Sequence, residues 1–297
     1  MFIAGSNATV GVFNGDFNTK KLPKLPANIK DPSMFKRNGS IFLCGGMLNY
    51  QECLKLSHGI WKEHSTLNKP RYLHSAVATQ LGTFIFGGLF SSTTYEYLPK
   101  DSTTWVMGKN EIPGGFYSGC AIAVKSEQEI WLIGGDHNEK RILAFNVDDH
   151  TFNELPLRLN VRRVGHGSAY IPNTSKIIIT GGHEEGFDPG FLNSTEILDT
   201  NSGSVIMAGP MNFKRYDHGI GAITIKGEEK LAVFGGVSKV DRGKSRLDRV
   251  EIYNNETDKW ETMPIKLTRA GNGFGGLRFG FLGVKLADVI KIKPYHN

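Results

Sequence analysis

Five short apolar runs, each ending in a pair of glycines, constrain this chain more than any other feature. They occupy residues 41–44, 83–86, 130–133, 177–180 and 231–234, and the pairs are Gly45-Gly46, Gly87-Gly88, Gly134-Gly135, Gly181-Gly182 and Gly235-Gly236. Successive pairs lie 42, 47, 47 and 54 residues apart. Four residues rich in β-branched and aromatic types are too few for a helix and read as a fully buried strand. Glycines at the end of such a strand let the backbone turn sharply and approach its neighbour closely. Glycine makes up 36 of the 297 residues, about 12% against a usual ~7%. With no Gly-X-Y period this excess signals turns and excludes collagen. A period near 45 residues means a fold assembled from copies of one small unit.

Two further positions recur in step. An aromatic follows each pair at Trp61, Trp105, Phe152 and Trp260, with Val205 in its place in the fourth unit. Between pair and aromatic runs an alternating strand, as in Thr94-Tyr95-Glu96-Tyr97-Leu98 or Val250-Glu251-Ile252-Tyr253. About ten residues further on stand Arg71, Arg163, Arg215 and Arg269, three of them in an Arg-x-x-His pattern with His74, His166 and His218; Asn272 replaces the histidine in the last. Four short strands per ~45 residues, with glycine and aromatic marks in each, form a propeller-blade signature.

The order of these marks resembles the kelch repeat, and the resemblance covers nearly the whole chain. It implies an all-β, six-bladed kelch β-propeller. The two ends look like complementary halves of one unit. Val10-Gly11-Val12-Phe13 and Lys21-Leu22-Pro23 follow a degenerate glycine-terminated strand at the start, while Arg269-Ala270-Gly271-Asn272 opens a strand over 273–279 that lacks a normal sequel. The N- and C-terminal strands are therefore expected to share one blade and close the ring without free edges. Residues 1–279 make the single propeller domain; residues 280–297 are an extra strand or a basic tail, with Lys285, Lys291 and Lys293.

Composition bounds the setting. Hydrophobic residues are 39% and charged residues 22%, as in ordinary globular chains. No apolar run reaches the ~18 residues of a membrane helix, and the first residues lack a basic region followed by a long apolar one, so no signal peptide and no membrane partner is expected. Three cysteines, Cys44, Cys53 and Cys120, make no disulfide framework, and their odd number leaves at least one unpaired. A reducing, cytoplasmic setting is the expectation. A net charge of +6 and a pI near 9.1 favour an acidic partner but are too diffuse to point to nucleic acid.

In kelch propellers the loops after the Gly-Gly strand and those carrying the arginine share the face on which partners dock. The resemblance thus makes Arg71, Arg163, Arg215 and Arg269 candidates for gripping an acidic segment of a protein partner, since a guanidinium fork suits carboxylates. The opposing reading is that each arginine satisfies backbone carbonyls between blades. Tyr72, Tyr117, Ser118 and Tyr216 stand beside this position, as interface anchors would. The interval from Gly-Gly to aromatic is 15 to 17 residues in three units but 23 and 24 in the last two. The added residues, with His183, Glu184, Phe187, Lys239 and Arg242, are expected to rise around the same face.

The recurring histidines could be imagined as metal ligands, but their repeat position favours polar pins between strands. No Lys-Ser/Thr follows a glycine pair, as a phosphate loop needs, and no nucleophile elbow is present. The expectation is a protein-binding module with no catalytic residue, no metal and no cofactor. Kelch-like relatives suggest substrate recognition for a cullin ubiquitin ligase, behind BTB and BACK domains for which this chain has no room, or actin binding. The alternative is a propeller enzyme, either a metal-dependent oxidase or a sugar mutarotase. Against the oxidase, Cys120 lies three residues from Tyr117 with no matching copper motif around them. Against an iron-dependent specifier type, Leu192 stands where Glu184-x-x-x-Asp188 would need a histidine.

Overall fold

The computed structural model describes residues 2–3, 10–13, 19–22, 29, 31–137, 140–184, 190–225, 227–240 and 243–266. Apart from one 3₁₀ turn at Lys125–Glu127, its regular elements are all strands. A three-stranded sheet comes first, built from β1 (Phe2–Ile3), β2 (Val10–Phe13) and β3 (Thr19–Leu22). Five four-stranded antiparallel sheets follow. Blade 1 is β4 (Ser33–Arg37), β5 (Ser40–Cys44), β6 (Glu52–Ser57) and β7 (Ile60–Thr66). Blade 2 is β8 (Ser75–Ala78), β9 (Gly82–Phe86), β10 (Tyr95–Pro99) and β11 (Val106–Met107). Blade 3 is β12 (Cys120–Val124), β13 (Glu129–Ile133), β14 (Arg141–Asn146) and β15 (Phe152–Arg158). Blade 4 is β16 (Gly167–Tyr170), β17 (Lys176–Thr180), β18 (Thr195–Asp199) and β19 (Val205–Ala208). Blade 5 is β20 (Gly219–Ile225), β21 (Glu228–Phe234), β24 (Arg249–Asn254) and β25 (Lys259–Lys266), interrupted by a hairpin of β22 (Val237–Val240) and β23 (Gly243–Arg246).

The fold is thus an all-β propeller with five four-stranded blades described, where six were expected. The strand expected to close the ring, 273–279, and the tail 280–297 lie outside the described residues. Arg269 lies outside them too.

The glycine-terminated runs are the second strands, β5, β9, β13, β17 and β21. Each is buried along its final residues, and β9, β13 and β17 lie between two described blades. The core is accordingly a series of layers between blades. Phe42 of blade 1 packs with Ile85, Leu98 and Trp105 of blade 2. Phe84 and Phe86 meet Ile130, Leu132 and Phe145 of blade 3, and Trp131 and Ile133 meet Ile177 and Ile179 of blade 4. At the next seam Ile178 and Met211 pack with Leu231, Val233 and Trp260. Burying each such side chain contributes about 1.5–3 kcal/mol. All ten glycines of the five pairs have positive φ. At Gly87 a Cβ would lie 1.7 Å from the Phe116 carbonyl oxygen, so no other residue fits there.

Cys44 and Cys53 are direct cross-strand partners on β5 and β6 and form a disulfide that does not include Cys120. The spacing of nine hides this pairing in the sequence, because the glycine turn folds the two strands face to face. The cysteine count therefore no longer argues for a reducing compartment. Among the described residues no helix is long and apolar enough to cross a membrane.

Candidate binding face

The inner strands β4, β8, β12, β16 and β20 line one central cavity of about 470 Å³. Its mouth is formed by the glycine turns and the loops that carry the arginines, and backbone bonds tie the two sets together. Gly46 donates to the Arg71 carbonyl, Gly88 to Phe116, Gly135 to Arg163 and Gly182 to Arg215. A second set of bonds runs around the mouth from blade to blade. Asp217 N–H donates to Gly165 O, Gly165 to Ser118, Ser118 to Leu73 and Leu73 to Asp31. All five residues are left-handed, with φ between 48° and 66°. Ser118 belongs to this ring and is buried, so it is a hoop residue and not a partner contact.

Arg71, Arg163 and Arg215 are fully buried. Arg71 Nη2 lies 2.8 Å from Glu96 Oε1, and its Nη1 donates to the Gly87 carbonyl at 2.6 Å. Arg163 Nε is 2.9 Å from Glu196 and Nη1 donates to Gly181 O at 2.7 Å. Arg215 Nη2 is 2.5 Å from Glu251 and Nη1 donates to Gly235 O at 2.7 Å. Burial lowers each guanidinium's pKa and the paired glutamate raises it again. An asparagine three residues before each arginine completes the clasp. Asn68, Asn160 and Asn212 donate their backbone N–H to the same glutamate and their side-chain amide to a carbonyl of the outer strand: Trp105, Val205 and Trp260, respectively.

These arginines therefore pin glycine turns and hold no surface open to an acidic segment. The expectation that they line the docking face is corrected by their burial. The sequence signal that would have found the clasp is the co-occurrence of Asn-x-x-Arg with glutamate in the Tyr-bearing strand. Blade 3 shows the pattern by contrast. Phe116 stands at the arginine position, Leu143 at the glutamate position, and both belong to one apolar cluster.

His74, His166 and His218 are buried and line the cavity. His218 Nε2 is 2.7 Å from Thr180 Oγ1. Burial, followed by Arg215, His166 and Arg163, holds its pKa well below the ordinary histidine value, so it is neutral. Adjacent inner strands are cross-tied at the same level: Ser33 Oγ donates to the His74 carbonyl at 2.9 Å, Ser75 Oγ to Gly119 O at 2.8 Å and Cys120 Sγ to His166 O at 3.0 Å. Among the described residues no group of three or more His, Cys, Asp or Glu is arranged to hold a metal.

One residue after the arginine position, Tyr72, Tyr117 and Tyr216 stand half-buried around the mouth. Each is matched by a side chain from a glycine-turn loop. Tyr72, Tyr50 and Phe90 form a three-ring cluster with centroids 5.5–5.8 Å apart. Tyr117 packs edge-on against His137 at 5.6 Å and donates its hydroxyl to Asp136. Tyr216 lies between His183 at 5.1 Å and Phe191 at 4.9 Å. His183 Nδ1 lies 2.9 Å from the carbonyl of Glu184, whose side chain is exposed.

Leu48 and Phe90, each two residues past a glycine pair, are 67% and 69% exposed and have φ of 80° and 71°. Nothing in the linear sequence marked them. Of the residues expected on the long loops, Lys239 sits on hairpin strand β22 opposite Lys244. Phe187 and Arg242 lie outside the described residues. The added residues of blade 5 thus fold as a hairpin at the mouth, joined to Tyr216 through paired backbone bonds with Val237.

The assembly of blades around a lined channel defines a β-propeller. The solved structure of YjhT aligns with this chain at a TM-score of 0.70 and 14% sequence identity, covering 83% of this chain and 86% of that one. Identity this low carries the propeller architecture alone. No protein-family model and no curated protein matches the chain.

Proposed function

We propose that the chain is a kelch-type binding propeller that holds a protein partner at the mouth formed by its glycine-turn loops, anchored over blades 1 and 2. The observation that carries this reading is the pair Leu48 and Phe90. Two bulky apolar side chains at equivalent loop tips are held in left-handed backbone that turns them outward. Such backbone is costly for residues with a Cβ, and burial of neither side chain repays it. With Tyr50 and Tyr72 they make the aromatic, aliphatic patch on which interface hot spots are built.

An acidic segment of the partner would meet the blade 5 hairpin, whose sequence carries Lys239, Arg242, Lys244 and Arg246. Burial lowers the Arg246 guanidinium to about 10, against the opposing pull of Asp31 and Tyr216. The order of repeat marks supports a kelch identity and a sixth blade. Residues 269–272, Arg-Ala-Gly-Asn, repeat in sequence the spacing of Arg215 and His218. Substrate recognition for a cullin ligase and actin binding are the roles the kelch resemblance offers for such a face. The reading takes the chain as a binder and not as an enzyme.

The test is capture of a partner by the parent chain, followed by affinity measurements on variants. Leu48→Glu and Phe90→Glu should each weaken binding roughly 30-fold or more, as hot-spot losses of about 2 kcal/mol do. Leu81→Glu, on the opposite face, should bind like the parent. The reverse pattern would move the site to the other face.

A further inference from the structure

The face opposite the mouth carries a pocket of about 290 Å³ at the seam between blades 1 and 2. Its apolar wall is the ring of Phe42 on β5. Lys55 Nζ lies 5.7 Å from that ring's centroid and the His64 ring lies 5.0 Å from it. Register explains their convergence. Phe42 pairs with Lys55 across β5 and β6, so the two share one face of the blade. His64 is the extra residue of a β-bulge, since Cys53 pairs with Ser65 and Leu54 with Glu63. Bulges re-aim side chains, and this one sets an imidazole beside the lysine. Across the seam, the turn after β10 supplies Lys100, Asp101, Ser102 and Thr103. Arg37, the last residue of β4, reaches over and donates from Nη2 to the carbonyls of Pro99, Lys100 and Ser102, fixing that turn against blade 1.

The pocket therefore gathers Arg37, Lys55 and Lys100 against the single carboxylate of Asp101. The local field is positive enough to be felt by its neighbour. Burial first, then Lys55 and Arg37, hold the His64 imidazole below its ordinary pKa. Lys62 and Glu63 precede it on β7. Cations focused in a concave site, with two hydroxyls at its rim, favour a compact oxyanion over a neutral ligand. The volume exceeds what a bare ion needs and admits a larger group attached to it.

We propose that this pocket binds a phosphate-bearing small molecule, with Lys55 and Lys100 supplying charge, the Thr103 hydroxyl donating a hydrogen bond, and Arg37 holding the turn in place. The site is independent of the mouth and of any protein partner there.

The experiment follows the His64 imidazole by NMR in the full chain, with its signal assigned through His64→Gln. Inorganic phosphate is the probe and chloride at matched ionic strength is the control. A bound dianion offsets the neighbouring cations, so phosphate should raise the His64 midpoint by about one pH unit, and chloride should not. Lys100 is exposed, so Lys100→Gln should fold normally and lose at least half of that shift; Lys55→Gln should do the same. Lys176→Gln, distant from the pocket, should respond like the parent. An equal response to chloride and phosphate, or a full phosphate shift in Lys100→Gln and Lys55→Gln, would overturn the proposal.

Discussion

At the scale of single residues, the molecule contains its own comparison between an ionic and an apolar solution to one packing problem. Blades 2, 4 and 5 fill the site beneath the glycine turn with Arg71–Glu96, Arg163–Glu196 and Arg215–Glu251. Blade 3 fills the equivalent site with Phe116 and Leu143. Removing one partner of a buried pair leaves an uncompensated charge, at a cost of about 3–5 kcal/mol. Arg163→Ala or Glu196→Gln should show a loss of that order in denaturant melts. The double substitution Arg163→Phe with Glu196→Leu copies blade 3 and should recover most of it; failure to recover would mean that the pair does more than fill the site.

His218 gives a second residue-scale expectation. Its folded pKa is depressed, so the unfolded chain binds the extra proton and stability falls as pH falls. The loss should begin near the ordinary histidine pKa of about 6.5 and continue toward the much lower folded value, at no more than ~1.4 kcal/mol per pH unit. Stability measured against pH in His218→Gln should lack this component, while a parent whose stability is flat from neutral pH downward would contradict it.

At the scale of elements, the glycine pair is what ends the second strand and permits the blade to fold back. Gly87 has φ of +61° and sits against the Phe116 carbonyl, whereas Gly39, at φ +72°, has open space where a Cβ would go. Gly39→Ala should cost only the ~1–2 kcal/mol of a left-handed L-residue. Gly87→Ala must in addition push two blades apart, so its cost should exceed that of Gly39→Ala by a wide margin. Comparable melting temperatures for the two variants would show that the turn is not tied to the neighbouring blade as drawn. The repeat tryptophans act at this scale as well. Trp105 Nε1 donates to Ser65 Oγ at 3.1 Å and Trp260 Nε1 to the Gly209 carbonyl at 3.0 Å, each reaching from an outer strand to the blade before it.

At the scale of the whole molecule, stability is shared along seams between neighbouring blades, as in other repeat architectures where each unit contacts mainly its neighbours. Such an arrangement leaves edges unless the two ends meet. The C-terminal unit beginning at Arg269 is the segment whose repeat register fits that place. Deleting residues 271–297 should lower the melting temperature and promote self-association through the uncovered edges. A monomer with unchanged melting temperature would remove the case for closure by that segment. The same scale decides where ligands meet the protein. The mouth offers an apolar, aromatic-rimmed patch and the opposite face a cationic pocket, so the two candidate sites are chemically and spatially separate.

The blade unit was legible because its marks are local. A glycine pair after an apolar run, a Tyr-bearing strand and a tryptophan are each required by the backbone or packing within one repeat, so spacing alone exposes them. Of the inner histidines, His218 bonds a neighbouring strand through its ring, to Thr180. What the sequence could not decide was which repeated side chains face water. Arg71, Arg163 and Arg215 carry charge and recur in step, which reads equally well as a binding ring or as a structural clasp. Their glutamates lie 25, 33 and 36 residues away, at separations that vary with loop length, and only folding brings the two together. Cys44 and Cys53 became partners through strand register. Leu48 and Phe90, ordinary apolar letters in the sequence, became the exposed ones through a left-handed backbone. Periodicity by itself determined the β-propeller architecture; burial, a balance of desolvation against contacts made across long separations, was decided by the tertiary structure alone.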